Sequence, residues 1–537
     1  MLRPKHKGAV ALSSVSQAHE TAPAFTGVRI HDILGRHVRE RPNKEAAVDG
    51  DFRLTYAQVA DRVDALAKAL IQAGVKQGDR VATLTPPALE FWLTYLAATS
   101  IGAIWVGLNP RYQKPEYAYL IKDAAPRLVF VRGVYEGRDY GADLKAVGPD
   151  VERFVDLGVL DAFITEGAVV SDQTLADRKA AVDPEATAVI VYTSGTTGQP
   201  KGAMLSHRAI VAAALINVSW MGDGLQSTIC AAPINHVGAL NNVCMNVFAY
   251  GGRIIFHHRV DLAEISVLSG REAPTYLVAS PTAFVMFASN TDAGLDVLGR
   301  YRLLVFGGGA TPEPYLQPVF ETGIRMANVY GQTETVGIVT ATGPEASPRI
   351  MAETFGRPLP HCALRVSRPD DTEADAGETG EIQVKGPLVM SGYFGRPEAT
   401  REAFTADGWL KTGDLGVKRD DGNFTFVGRL KEMYKSGGYN IYPAEIEQAL
   451  ADHPAVAMSA VLPVPHAMFQ EVGHAFVALK PGHTADSEGL RVFLRERLAN
   501  YKIPKTFSFE AALPLLPTSK IDKQALKRRL AEQEVTA

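Results

Sequence analysis

Three cysteines in 537 residues, Cys230, Cys244 and Cys362, are too few and too scattered for a disulfide framework or a zinc-binding cluster. They suit a reducing cytoplasm, the location expected for the chain. Charge of one sign is lacking as well. The net charge is -4 with 21% charged residues, so no basic field argues for nucleic acid and no polybasic run for an anionic membrane. Long apolar runs are scarce. Arg3, Lys5 and Lys7 precede only Gly8 to Leu12, too short a run for a signal sequence. Phe91 to Leu108 carries no charge, but Thr94, Thr99, Ser100, Gly102 and Gly107 interrupt it. It reads as a buried helix ending near Gly102 followed by a strand at 104–106, not as a membrane span. Glu534-Val535-Thr536-Ala537 carries no peroxisomal or ER address. Internal repeats and low-complexity tracts are absent too.

What is present is ordinary globular material, 46% apolar, in a chain too long for one hydrophobic core. Residues 1–25 read as a flexible lead-in. Helical and strand patterns then alternate. Thr55 and Gln58 have capping-box spacing, and Val59, Val63, Leu66 and Leu70 share one helical face before Gly74 stops the helix. Val81 to Leu84 follows as a short strand. The alternation predicts an α/β layered architecture. Past Gly428 the elements shorten. Pro443 opens a helix with Glu445 and Glu447 near its positive end, 475–479 reads as a strand, 490–498 as a helix and 523–534 as a basic helix. The expected division is a large N-terminal domain, 1–428, of layered α/β subdomains and a small α+β C-terminal domain, 429–537.

The sharpest chemical signal is Tyr192-Thr193-Ser194-Gly195-Thr196-Thr197-Gly198-Gln199-Pro200-Lys201-Gly202. It follows 187–192, a β-branched and apolar run that reads as a buried strand. Glycines let such a loop turn its N–H groups inward as an anion nest. The hydroxyls of Thr193, Ser194, Thr196 and Thr197 add donors, and Lys201 adds positive charge. A polyphosphate needs this surface. The spacing is not that of a Walker A loop, and a plain Ser/Thr/Gly linker would not sit directly after a buried strand and end in Pro-Lys-Gly.

Six further segments follow in order. Gly307-Gly308-Gly309-Ala310 ends a short apolar strand, where small residues let a flat ring approach the backbone. Tyr330-Gly331-Gln332-Thr333-Glu334 offers an aromatic ring and a hard carboxylate that suits Mg²⁺ alongside phosphate oxygens. Thr412-Gly413-Asp414 reads as a glycine turn, followed by Gly428-Arg429-Leu430-Lys431-Glu432. Lys435-Ser436-Gly437-Gly438-Tyr439 reads as a mobile, closely approachable loop or, alternatively, as a plain turn between a strand and a helix, and Pro517-Thr518-Ser519-Lys520 lies near the C-terminus.

Taken together, and over roughly residues 30–530, these segments make the chain resemble the adenylate-forming enzymes: acyl- and aryl-CoA synthetases, firefly luciferase and peptide-synthetase adenylation domains. The resemblance implies an ATP- and Mg²⁺-dependent acid:CoA ligase, with ATP and coenzyme A as partners besides the acid. Gly308, Gly309 and Ala310 then line the adenine and acyl pockets. Tyr330 stacks on adenine, flanked by Gly331 and Gln332, and Thr333 contacts the α-phosphate. Glu334, with Thr193, holds the metal. Asp414 takes the ribose hydroxyls and Arg429 a second ribose or phosphate contact. Lys431 is the hinge of a mobile C-terminal domain. Lys435, Ser436, Gly437 and Gly438 border the pantetheine tunnel, and Lys520 is the catalytic lysine.

In the same way Pro233-Ile234-Asn235-His236-Val237-Gly238 resembles the segment lining the acyl pocket. His236 matches the family's histidine, whereas Asn235 stands where an aromatic is usual. With Val237, Ala239, Ser280, Gly308, Val336 and Gly337 the pocket is small-residue and apolar, which fits a hydrophobic monocarboxylic acid: fatty, aryl or alicyclic. A carrier-protein phosphopantetheine as acceptor, and a nucleotide-binding protein without catalysis, are the competing readings. Retention of Glu334, Lys431 and Lys520 opposes the second. A homodimer is compatible with the sequence.

Overall fold

The computed structural model describes residues 27–193, 199–281, 283–284, 291–309, 311–343, 345–436, 439–466, 468–516 and 520–536; the expected lead-in lies outside them. Two large sheets dominate. One has nine strands, in the order 357–358, 337–341, 325–332, 303–307, 276–279, 227–230, 253–256, 45–49 and 52–55. Its middle strands are parallel and its edges antiparallel. The other has seven, ordered 392–393, 201–206, 187–193, 104–108, 80–84, 128–131 and 153–156. Parallel strands need crossover helices, and the alternation of the sequence supplies them.

Local signals are realised at several of these helices. Gln58 N donates to Thr55 Oγ1 at 3.3 Å and Thr55 N to Gln58 Oε1 at 2.9 Å, closing the capping box of Tyr56–Gln72. The uncharged stretch splits as its glycines demand, into helix Leu89–Ser100 and strand Ile104–Leu108. From Phe91 to Ser100 that helix is uncharged and buried on every side, in a cluster shared by both large sheets. Phe91 packs edge-on against Phe256 at 5.6 Å and lies 6.3 Å from Trp105. No helix among the described residues is long and apolar enough to cross a membrane. All three cysteines are free and buried.

A four-stranded antiparallel sheet, 363–367, 379–385, 410–418 and 424–429, follows. Beyond it, strands 439–441, 434–436, 470–479 and 456–466, with 506–510 added parallel to 470–479, form the last sheet. Helices Pro443–Ala451 and Ser487–Arg495 cover it. Its buried clusters draw only on residues from Tyr434 to Leu526.

Three expectations change. The helix foreseen at 490–498 is Ser487–Arg495, because Asp486 caps it by accepting from Gly489 N at 2.7 Å. Asp414 is not in a turn but inside the strand Leu410–Lys418, paired with Arg429; Gly413, at φ 71°, is absorbed there because its N–H finds the Glu381 carboxylate at 2.9 Å. The loop after Lys435 joins two strands, with Ser436 opposite Tyr439, rather than a strand and a helix.

Candidate active site

The strand Thr187–Thr193 returns as Lys201–Ser206, with Thr193 paired to Lys201, so the Ser/Thr/Gly segment is the connection of an antiparallel pair. Ser194, Gly195, Thr196, Thr197 and Gly198 lie outside the described residues. The exit of the connection is anchored: Tyr119 Oη donates to Pro200 O at 2.7 Å. Beneath it, Tyr192 Oη donates to Asp123 at 2.8 Å, and Arg396 pairs with the same carboxylate at 2.5 Å.

Strand Arg325–Gln332 carries Tyr330, Gly331 and Gln332, and a short 3₁₀ turn, Thr333–Thr335, holds Thr333 and Glu334. The turn is tight because Thr335 Oγ1 accepts from Gln332 N at 2.9 Å and donates to Gly337 O at 2.8 Å. Val336 at φ 54° and Gly337 at φ 112° reverse the chain. Tyr330 leans on Phe355, ring centroids 4.6 Å apart, and its hydroxyl donates to Asp414 Oδ2 at 2.8 Å. Arg429 Nε reaches Asp414 Oδ1 at 3.3 Å. Burial lifts the Asp414 carboxyl above its ordinary value, against the pull of Arg429 and of the Tyr330 hydrogen bond. Burial likewise raises Glu334, whose Oε1 accepts from Tyr393 Oη at 2.9 Å.

Lys520 arrives from the far end of the chain. Leu516 N donates to its carbonyl at 2.7 Å, and Leu515 bridges to Ile521; Pro517, Thr518 and Ser519 lie outside the described residues. Its Nζ lies 3.6 Å from where a side chain on Gly308 would begin, an ordinary contact that glycine leaves open. The side chain is exposed by area, yet the surrounding protein desolvates the ammonium and lowers its pKa; Arg429 lowers it further, while Asp414 and Glu432 oppose. His236 sits near enough to feel that charge. Burial first, then Lys520, lowers it to about 4, so the imidazole is neutral at neutral pH.

Lys431 is exposed, in a turn where Glu432 N donates to Arg429 O at 3.0 Å, just past the bond from Leu430 N to Gly413 O at 2.9 Å. Lys435 is exposed and Ser436 buried; no contact among the described residues joins either to Lys520. Gly309 faces Pro281, while Ala310, Gly437 and Gly438 lie outside the described residues. Asn235 is buried, its Nδ2 donating to Tyr112 Oη at 3.2 Å. Residues 238–245 after His236 form a π-helix, where Asn241 Nδ2 donates to Val336 O at 2.7 Å.

Glu334 and Thr193 offer hard oxygens, and no group of three or more His, Cys, Asp or Glu among the described residues could hold a metal by itself. That donor set fits Mg²⁺ carried on phosphate oxygens, since Mg²⁺ seldom has an all-protein cage. Tyr393 was not foreseen. Its Gly-Tyr dipeptide has no distinctive pattern, and only the fold brings it to Glu334.

The sequence profile described as AMP-binding enzyme matches residues 34–394, and that of the AMP-binding enzyme C-terminal domain matches 445–520. The chain belongs to the AMP-binding enzyme family. Feruloyl-CoA synthase of Amycolatopsis sp is 34% identical over 498 residues, 92% of this chain and 97% of that protein. The indoleacetate–CoA ligase of Aromatoleum aromaticum is 32% identical over 94% of this chain and 99% of its own length. Among solved structures, Bacillus subtilis o-succinylbenzoate CoA synthetase with ATP and magnesium ion superposes with TM-score 0.80 at 28% identity, covering 92% of this chain and 99% of its own. Within this family the chain is an AMP-forming acyl-CoA ligase, with an α/β large domain and a smaller C-terminal domain.

Proposed function

We propose that the chain joins a hydrophobic monocarboxylic acid to coenzyme A in two steps at this one site. The carrying observation is that Lys520, from the C-terminal unit, lies at the Gly308 edge of the larger unit, within electrostatic reach of His236 and Asp414 there and of Arg429 at the start of its own unit. In the first step a carboxylate oxygen attacks the α-phosphorus of ATP, the α–β anhydride bond breaks, and pyrophosphate leaves. Substitution at phosphorus is chiefly positioning and charge neutralisation. Lys520 neutralises charge between the carboxylate and the α-phosphate, Asp414 accepts from the ribose hydroxyls, Tyr330 stacks the base, and Lys201 with the loop before it receives the leaving pyrophosphate. Glu334 and Thr193 would hold Mg²⁺, which supplies Lewis-acid neutralisation of phosphate charge.

In the second step the CoA sulfur attacks the acyl carbon, its thiol proton passes to solvent, and the C–O bond to AMP breaks. Lys520 fills the approach during the first step, so the small unit must turn for the second, and Lys431 stands in the turn that would open. Lys435, Ser436, Gly437 and Gly438 would then face the pantetheine arm. His236, neutral and against the acyl side, orients the carboxylate rather than exchanging protons near neutral pH.

Val237 and Ala239 are buried beside His236, Val336 adds a buried aliphatic side chain, and Gly308 and Gly337 add none. Room of this kind suits a ring-bearing acid. The names of the relatives, feruloyl, indoleacetate and o-succinylbenzoate, point the same way. The test is ATP-dependent pyrophosphate release over fatty, aryl and alicyclic acids, with and without CoA, with products identified by mass spectrometry. Acyl-CoA and AMP from a ring-bearing acid are expected. An adenylate that persists with CoA moves the acceptor to a carrier protein, and release with none of the acids sinks the reading.

A further inference from the structure

Tyr393 connects two groups that the sequence places far apart. Its short strand, Gly392–Tyr393, pairs antiparallel with Lys201–Ser206, Ala203 opposite Tyr393. Around it the backbone is tied on both sides. Met390 N donates to Glu334 O at 2.8 Å, Ser391 N to Met204 O at 2.9 Å, and Phe394 N to Gly202 O at 2.8 Å. Tyr393 N donates to Thr400 Oγ1 at 2.9 Å. Gly392, at φ 138°, lets Thr400 close in: a Cβ there would stand 2.6 Å from Thr400 Cγ2. The phenol therefore has little freedom in where it points. Its hydroxyl donates to Glu334 Oε1 at 2.9 Å, and Lys201 Nζ stands over its ring, 5.2 Å from the centroid.

We propose that Tyr393 is a positioning residue that holds the carboxylate of Glu334 and the ammonium of Lys201 at one spacing, so that metal and polyphosphate are received together. This rests on the roles given above to Glu334 and Lys201. With one oxygen of Glu334 occupied by the phenol, the other is left to turn toward a cation. The ring, meanwhile, keeps Lys201 directed by a cation–π contact without neutralising it, as a carboxylate partner would. Substituting phenylalanine removes only the first device; leucine removes both.

The test is equilibrium ATP binding to the full-length enzyme, without acid substrate, in the presence and absence of Mg²⁺. Wild type should bind ATP more tightly with Mg²⁺. Tyr393→Phe should bind Mg²⁺-free ATP as wild type does but lose about tenfold of the Mg²⁺-dependent gain, the scale of one hydrogen bond to a charged group. Tyr393→Leu should in addition weaken Mg²⁺-free binding about threefold, the scale of a surface cation–π contact. In a Glu334→Gln background, Tyr393→Phe should add no further loss, which a general packing role would not predict. An unchanged Mg²⁺ gain in Tyr393→Phe, or additive losses with Glu334→Gln, overturns the proposal. The Glu334→Gln comparison still decides should Tyr393→Leu fail to fold. Wild type that binds no ATP at all instead sinks the ligase reading, and wild type indifferent to Mg²⁺ removes the metal role of Glu334.

Discussion

The charge on Lys520 should set the alkaline limit of adenylation. Burial is the first cause that lowers its pKa below the ordinary lysine value of 10.5, and Arg429 is the second; Asp414 and Glu432 pull the other way. A lysine with a lowered pKa is charged below that pKa and neutral above it. If its ammonium stabilises charge at the α-phosphate, adenylation falls as pH rises through the lowered value, earlier than an ordinary lysine would allow. Lys520→Ala removes the group altogether and should cost about 10²–10³ in adenylation rate, as for loss of one oxyanion-type contact. Thioester formation from preformed adenylate should change far less. The limb can be moved by charge alone. Glu432→Gln deletes a raising influence and should shift it to lower pH, whereas Arg429→Gln deletes a lowering one and should shift it higher. Glu432 is the cleaner probe, because Arg429 also touches Asp414. The assay is initial pyrophosphate release at saturating ATP and acid across the alkaline range, with melting followed alongside to exclude unfolding. A limb that stays in place in Glu432→Gln, or moves up, refutes the argument, as does near-normal adenylation by Lys520→Ala.

Other perturbations test separate links. Lys431→Pro should impair thioester formation more than adenylation, because proline restricts the torsion on which the turn depends; equal loss in both half-reactions speaks against a hinge. Gly337→Ala should destabilise by about 1–3 kcal/mol through its left-handed backbone alone, and its Cβ would also stand 2.1 Å from Asn242 Oδ1. Adding Asn242→Ala should restore part of the lost melting temperature; no recovery would show that the contact is irrelevant. Phe91→Ala opens a hole among Phe256, Trp92 and Trp105 and should lower unfolding free energy by about 3–5 kcal/mol, read from the denaturation midpoint.

What could be read from sequence divides by the range of the interaction that decides it. The capping box at Thr55, the split of the uncharged stretch at Gly102 and the strand before Thr193 are settled by neighbours a few residues away, and each is found where the pattern puts it. The setting of Asp414 differs from the one expected, because a glycine before an aspartate reads as a turn. What keeps Gly413 in a strand is the Glu381 carboxylate and the pairing with Arg429, both distant in sequence. Tyr393 left no trace for the same reason. Its two partners lie far apart in the chain, Glu334 in the turn after strand 325–332 and Lys201 at the start of strand 201–206 of the other large sheet, and a tyrosine after glycine carries no sign of which it will reach. The same holds most strongly for Lys520. Its motif singles it out, but its placement against Gly308 depends on how the C-terminal unit docks, through contacts such as Lys480 over the Tyr315 ring at 4.9 Å. If those contacts hold the unit in the adenylating arrangement, their loss should favour the other half-reaction. Tyr315→Ala should therefore slow adenylation relative to thioester formation, without touching any residue at the reacting atoms. An unchanged ratio of the two rates would mean that docking is set elsewhere, and that Lys520 reaches Gly308 for reasons this surface does not supply.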